Sequence, residues 1–222
     1  MQSLAVTSYR DLQPYNSTVS AMQSFTASRG EDTPDAAWLL QHPPVYTQGL
    51  AGKAEHITSH LPHPLVQTDR GGQVTFHDPG QIMGYLLIDI KRKGLSIINL
   101  IDKTEAVLLG LLHQYDIQAT CDDHLGRGIY VSGKKIASIG FKVRKYCSYH
   151  GFALNVATET AAFGHINPCG IRNLAMANIT DYVPSATITR VQHDLLDHIQ
   201  TQFDYDCLTI NQPEKDNVST TE

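Results

Sequence analysis

Two hydrophobic rhythms divide the chain. Leu95, Ile98, Ile101, Val107, Leu108, Leu111 and Leu112 recur at three- and four-residue steps, which predicts a long amphipathic helix, with Ser96 just after Gly94 as its cap. Val191, Leu195, Ile199 and Phe203 share one face of a second long helix. Val19, Met22 and Phe25 suggest a short third one, capped by the hydroxyls of Ser17 and Thr18. Short apolar runs at 36–40, 65–68, 74–76, 82–90, 129–131, 135–143 and 152–156 read as strands, the first stopped by Pro43 and Pro44 and the others parted by Gly- and Pro-bearing turns. Strands and helices mix without a regular βαβ rhythm. The expected fold class is therefore α+β: a single domain over residues 1–210 with one mixed β-sheet flanked by helices, followed by a polar, disordered tail at 211–222.

Composition narrows the function classes. The chain has 222 residues, 41% apolar and 18% charged, enough for one sizeable core. A net charge of -5 supplies no basic field, so nucleic acid and anionic membrane are poor partners, and no apolar run approaches the roughly 18 residues of a membrane span. The start of the chain lacks the basic and apolar regions of a secretion signal. Four scattered cysteines without CxxC spacing suit reduced thiols better than a disulfide framework or a metal site, so a cytoplasmic location is expected.

Three stretches are richer in reactive side chains than a scaffold requires. In the first, 70–81, Gly71 and Gly72 permit close backbone approach, Arg70 offers a fork of donors and His77 titrates near neutrality, although the same residues also make an ordinary hairpin turn. In the second, 128–144, regular alternation would put Lys135 on the apolar face of Ala137, Ile139, Phe141 and Val143, where desolvation favours a neutral, proton-accepting amine; a bulge would reverse that face. In the third, Pro168 and Gly170 bracket Cys169 in a loop able to present sulfur at a fixed angle, although a lone cysteine also serves as a small buried apolar residue. His150, beside Gly151 at a strand start, is either near a ligand or a core histidine at a bulge.

The segments HPPVYTQG at 42–49, RGGQVTFHDPGQ at 70–81, GKKIASIG at 133–140, YHGFALNV at 149–156 and INPCG at 166–170, in this order, resemble the octanoyltransferase family, the lipoyl(octanoyl) transferases of lipoate biosynthesis. The resemblance spans about residues 36–182 and implies the biotin/lipoate protein ligase fold. It also implies acyltransferase activity without a cofactor: an octanoyl group moves from acyl carrier protein to a lysine of the lipoyl domains of 2-oxoacid dehydrogenases or of the glycine-cleavage H protein. Cys169 matches the family's acyl-carrying cysteine and Lys135 its acid/base partner. The substrate-contact segments carry over to Arg70, Gly71, Gly72, Gln73, Val74, Thr75, Phe76 and His77; to Ser138, Ile139 and Gly140; and to Gly151, Phe152 and Ala153.

Two departures stand out. Asp78 occupies a position where the family usually has glycine, which matters if the backbone there needs a positive φ. Leu86 stands where many relatives have proline, an expected local change of strand. An acidic carrier protein would dock on Lys91, Arg92 and Lys93 or on Lys142, Arg144 and Lys145, though either run also reads as a solvated face. An ATP-dependent lipoate or biotin ligase and a non-catalytic carrier-binding protein are the competing readings.

Overall fold

The computed structural model describes residues 2–122 and 124–211. The chain runs through β1 (Ser3–Ser8), α1 (Tyr15–Ser28), β2 (Asp35–Leu40), β3 (Val45–Gln48), β4 (Leu65–Gln67), β5 (Val74–His77) and β6 (Gln81–Leu87). It continues through α2 (Ile97–Gln114), β7 (Thr120–Cys121), β8 (Gly128–Val131), β9 (Lys134–Arg144), β10 (Cys147–Asn155), α3 (Ile188–Gln202) and β11 (Cys207–Asn211). The α+β expectation holds, but the strands form two sheets rather than one. An eight-stranded mixed sheet has the order β11-β1-β2-β6-β10-β9-β8-β7, and a three-stranded sheet has the order β4-β3-β5.

The helical stripes are buried as their spacing requires except in the first turn of α2, where Ile98 is exposed and Leu100, outside the expected stripe, is buried instead. Val191, Leu195 and Ile199 of α3 and Leu100, Val107, Leu108, Leu111 and Leu112 of α2 are fully buried in one cluster with Ile129, Ile136, Ala137 and Leu154 of the large sheet. Each such aliphatic side chain contributes about 1.5–3 kcal/mol of burial. Ser96 caps α2 by accepting from the Asn99 amide at 3.1 Å, and Asn99 Oδ1 accepts from the Ser96 amide in return, completing a capping box.

The opposite face of the sheet packs Met83, Tyr85, Tyr149 and Ala153 against Met22 of α1. The hydroxyl cap expected for α1 is absent: the helix starts one turn earlier with Pro14 as its N-cap, and Ser17 and Thr18 lie inside it, each donating its hydroxyl to the Pro14 carbonyl at 2.9 Å. Those bonds satisfy side chains already in the first turn, so they do not mark its start.

Strand ends also differ from expectation. β6 stops at Leu87 rather than 90, and β10 begins at Cys147, five residues before the expected 152. β1 and β11, which pair in parallel at one edge, were not expected at all, nor was β3. Asn211, assigned to the tail, closes β11; residues 212–222 lie outside the described residues. Leu86 is fully buried opposite Ala37 in unbroken register.

Candidate active site

A bulge sets the face of Lys135. Ala137 pairs with Ile129 and Lys135 with Tyr130, so Ile136 has no opposite residue, and Ile136 and Ala137 both turn into the helix-facing core. Lys135 is thereby carried to the other face, that of Ser138 and Gly140, and not to the face of Ala137, Ile139, Phe141 and Val143. Its side chain is fully buried nonetheless. Backbone bonds from Lys135 N to Ala175 O at 2.8 Å and from Ala177 N to Lys135 O at 2.9 Å fix it to the segment that returns from Cys169.

Cys169 sits in a short 3-10 turn, Pro168–Gly170, with φ at 57°, half-buried. A non-glycine residue in the left-handed region carries strain that the flanking Pro168 and Gly170 help to hold. Lys135 Nζ donates to Cys169 Sγ at 2.8 Å, to Arg127 O at 2.9 Å and to the Tyr130 hydroxyl at 3.1 Å. Gly128 and Tyr130 lie in the 128–144 stretch without a chemical pattern that singles them out, and Gly126 lies just before it. Gly128 is needed because a Cβ there, at φ 146°, would meet Ala137 O at 2.4 Å and Lys135 Cε at 2.6 Å. A glycine opening a strand before Ile129-Tyr130-Val131 was the available signal.

Both residues face a pocket enclosing about 560 Å³ of empty space, part of it open to solvent. Of the expected substrate contacts, Arg70, Gly72, Gln73, Val74, Thr75, His77, Ser138, Ile139, Gly140, Gly151, Phe152 and Ala153 line it. Gly71 and Phe76 do not. The Gly71 amide instead pins the loop to β9 by donating to Phe141 O at 2.9 Å, and the Phe76 ring packs with Tyr46 and Phe163 beneath the small sheet. Tyr15, Met83, Tyr85, Arg127, His150 and Pro168 complete the wall. Tyr15 sits on α1, remote in sequence from the motifs, whereas Met83 and Tyr85 follow the 70–81 motif directly within β6, in a continuous apolar run that reads as buried core.

One part of the pocket is polar. Arg70 donates from Nη2 to Thr47 O and Oγ1, both at 2.7 Å, and burial lowers its hold on its proton. His77 bridges Thr47 Oγ1 at 3.0 Å and Gln81 Oε1 at 2.7 Å, and burial keeps it neutral well below the usual histidine range. His150 Nε2 meets Asp69 Oδ1 at 2.9 Å; burial lowers the histidine, with Asp69 opposing. Arg70 Nε, Gln73 Oε1 and His150 Nδ1 are buried without a hydrogen-bond partner among the described residues.

Asp78 is not in the left-handed region; the nearby turn residue that is, Gly80 at φ 97°, abuts Ala157 O. The Asp78 carboxylate instead accepts from the Glu159 amide at 2.9 Å, joining two loops. Of the two basic runs, Arg92 is tied to Asp35 at 2.6 Å and Lys93 donates to Phe203 O at 2.6 Å, so the first has structural work; Arg144 and Lys145 are exposed. None of the four cysteines is in a disulfide. Among the described residues no helix is long and apolar enough to cross a membrane, and no group of three or more His, Cys, Asp or Glu could hold a metal ion.

The lipoyl protein ligase A/B catalytic domain model matches residues 14–200. Lipoate-protein ligase A, solved with ATP bound, shares the fold at 16% identity, with a TM-score of 0.75 covering 96% of this chain and 89% of that one. Fold and site thus define a catalytic domain of the lipoyl ligase and transferase class. The octanoyltransferase of Laribacter hongkongensis is 43% identical over 192 residues, covering 86% of this chain and 92% of the relative. That of Stutzerimonas stutzeri is 46% identical over 191 residues, covering 86% and 87%. The chain belongs to the octanoyltransferase family of acyltransferases.

Proposed function

We propose that this chain moves an octanoyl group from acyl carrier protein to a lysine of lipoyl domains, including those of 2-oxoacid dehydrogenases and the glycine-cleavage H protein, through a thioester on Cys169. The observation that carries this reading is the 2.8 Å contact between Lys135 Nζ and Cys169 Sγ at the wall of a largely apolar pocket. Lys135 takes the thiol proton, and the thiolate attacks the carrier thioester. The tetrahedral adduct expels the pantetheine sulfur, which recovers a proton from Lys135. The neutral amine of the acceptor lysine then attacks the Cys169 thioester. Lys135 accepts its surplus proton and returns one to the departing Cys169 sulfur, leaving an amide and the free enzyme.

Exchanging one thioester for another is nearly neutral in free energy, and conversion of a thioester to an amide runs downhill, so the sequence of steps needs no nucleotide. Burying about six methylenes of the acyl chain contributes roughly 5 kcal/mol to binding. Cysteines outside disulfides and the lack of a membrane-spanning helix among the described residues support a cytoplasmic setting.

The test is turnover of octanoyl carrier protein with a lipoyl domain in the absence of ATP. It should proceed with the wild type and be lost in Cys169→Ala and in a folded Lys135→Ala. Undiminished activity of Cys169→Ala with free octanoate and ATP would instead establish an acyl-adenylate ligase, and binding of the carrier without turnover a carrier-binding protein.

A further inference from the structure

We infer that Tyr130 is a positioning residue that fixes the direction of the Lys135 lone pair toward Cys169. The inference rests on the proposed Cys169 and Lys135 chemistry and extends it to a residue outside the substrate-contact segments.

A lysine that cycles a proton must keep its nitrogen oriented in both states. As an ammonium it has three N–H bonds, and the structure supplies three acceptors: Arg127 O, the Tyr130 hydroxyl and Cys169 Sγ. As a neutral amine it has two N–H bonds and one lone pair. If the two oxygen acceptors retain the two N–H bonds, the lone pair is left facing the sulfur, where the thiol proton must go. Loss of either acceptor lets the amine rotate and aim its lone pair elsewhere.

The Tyr130 oxygen suits this task because its own proton is committed elsewhere. Its single proton is shared between Leu125 O and Gly126 O, the latter at 2.8 Å, so toward Lys135 it acts as an acceptor. Burial, followed by the nearby Cys169, pushes the phenol well above its ordinary range and keeps that proton in place. The phenol is itself buried, opposite Lys135 across the β8–β9 ladder, and the bulge at Ile136 makes that pairing possible. Its bonds to Leu125 and Gly126 also hold the loop that supplies Arg127 O. A Cβ on Gly126 would stand 3.4 Å from Cys169 Cβ, so this loop packs directly against the cysteine. One hydroxyl thus anchors both oxygen acceptors of the amine.

The experiment follows alkylation of Cys169 by iodoacetamide as a function of pH, resolved by peptide mass spectrometry, in the wild type, Tyr130→Phe and Lys135→Ala. Steady-state turnover with octanoyl carrier protein is measured alongside. Tyr130→Phe is expected to move the alkylation midpoint toward that of Lys135→Ala and to lower kcat about tenfold, a part of what general acid-base chemistry contributes, with KM for the carrier unchanged. A purely structural role would leave the midpoint of the folded protein in place. If Lys135→Ala shifts the midpoint and folded Tyr130→Phe does not, the inference about Tyr130 is wrong while the dyad stands. If neither shifts it, the dyad itself is wrong. Should Tyr130→Phe fold poorly, site-specific 3-fluorotyrosine at 130 keeps the hydroxyl but weakens its oxygen as an acceptor; a smaller shift in the same direction supports the inference, and no shift overturns it.

Discussion

Gly128 and Lys135 occupy complementary space: a Cβ on the glycine would lie 2.6 Å from Lys135 Cε and 2.9 Å from its Nζ. The clash with Ala137 O adds a backbone cost. Gly128→Ala should therefore lose about 1–3 kcal/mol of stability, seen in denaturant unfolding. By displacing the amine it should also lower kcat by up to about a hundredfold. A folded variant with wild-type kcat would show that the position of the Lys135 amine is not critical.

The acyl pocket should report on chain length at Met83, a buried wall residue on β6. Met83→Phe removes space without adding charge. We expect kcat/KM for octanoyl carrier protein to fall about tenfold or more relative to a butanoyl carrier, the scale on which a hydrophobic pocket separates chains differing by methylenes. Equal losses for both chains would remove Met83 from the acyl-binding wall.

Asp78 gives a pH signature. Burial pushes its carboxyl up to about 6 from 3.8, so the folded state holds the proton more tightly than the unfolded chain. Its contribution to stability is complete below about pH 3.8 and lost as pH rises through about 6. His42 works in the opposite sense: burial lowers it from 6.5 to about 4, so its contribution is lost as pH falls through that interval. The Tm difference between wild type and Asp78→Asn should therefore shift against the wild type between pH 4 and 7, by about 2–4 °C for each kcal/mol. A difference that does not change with pH would contradict the shifted carboxyl.

Much of this architecture could be read from residue order. The α2 stripe and its Ser96 cap were visible because helical periodicity and capping are local. Cys169 stood out as a thiol between Pro168 and Gly170, and the motif resemblance gave it a role and supplied most of the other residues lining the pocket. The face of Lys135 could not be read, because the bulge at Ile136 exists only relative to the register of β8. β1 and β11 were hidden for a similar reason: their pairing joins residues about two hundred positions apart, and neither segment carries strong alternation of its own. Asp78 looked like a backbone problem by comparison with a glycine, but its role lies in the side-chain bond to Glu159.

The account stands on a covalent intermediate, and intact mass spectrometry after mixing the protein with octanoyl carrier protein tests it most directly. The wild type should gain the mass of one octanoyl group, lost again on treatment with hydroxylamine or on addition of a lipoyl domain, and Cys169→Ala should gain nothing. Turnover with no such adduct, or an adduct that persists in Cys169→Ala, would contradict acyl transfer through this thiol.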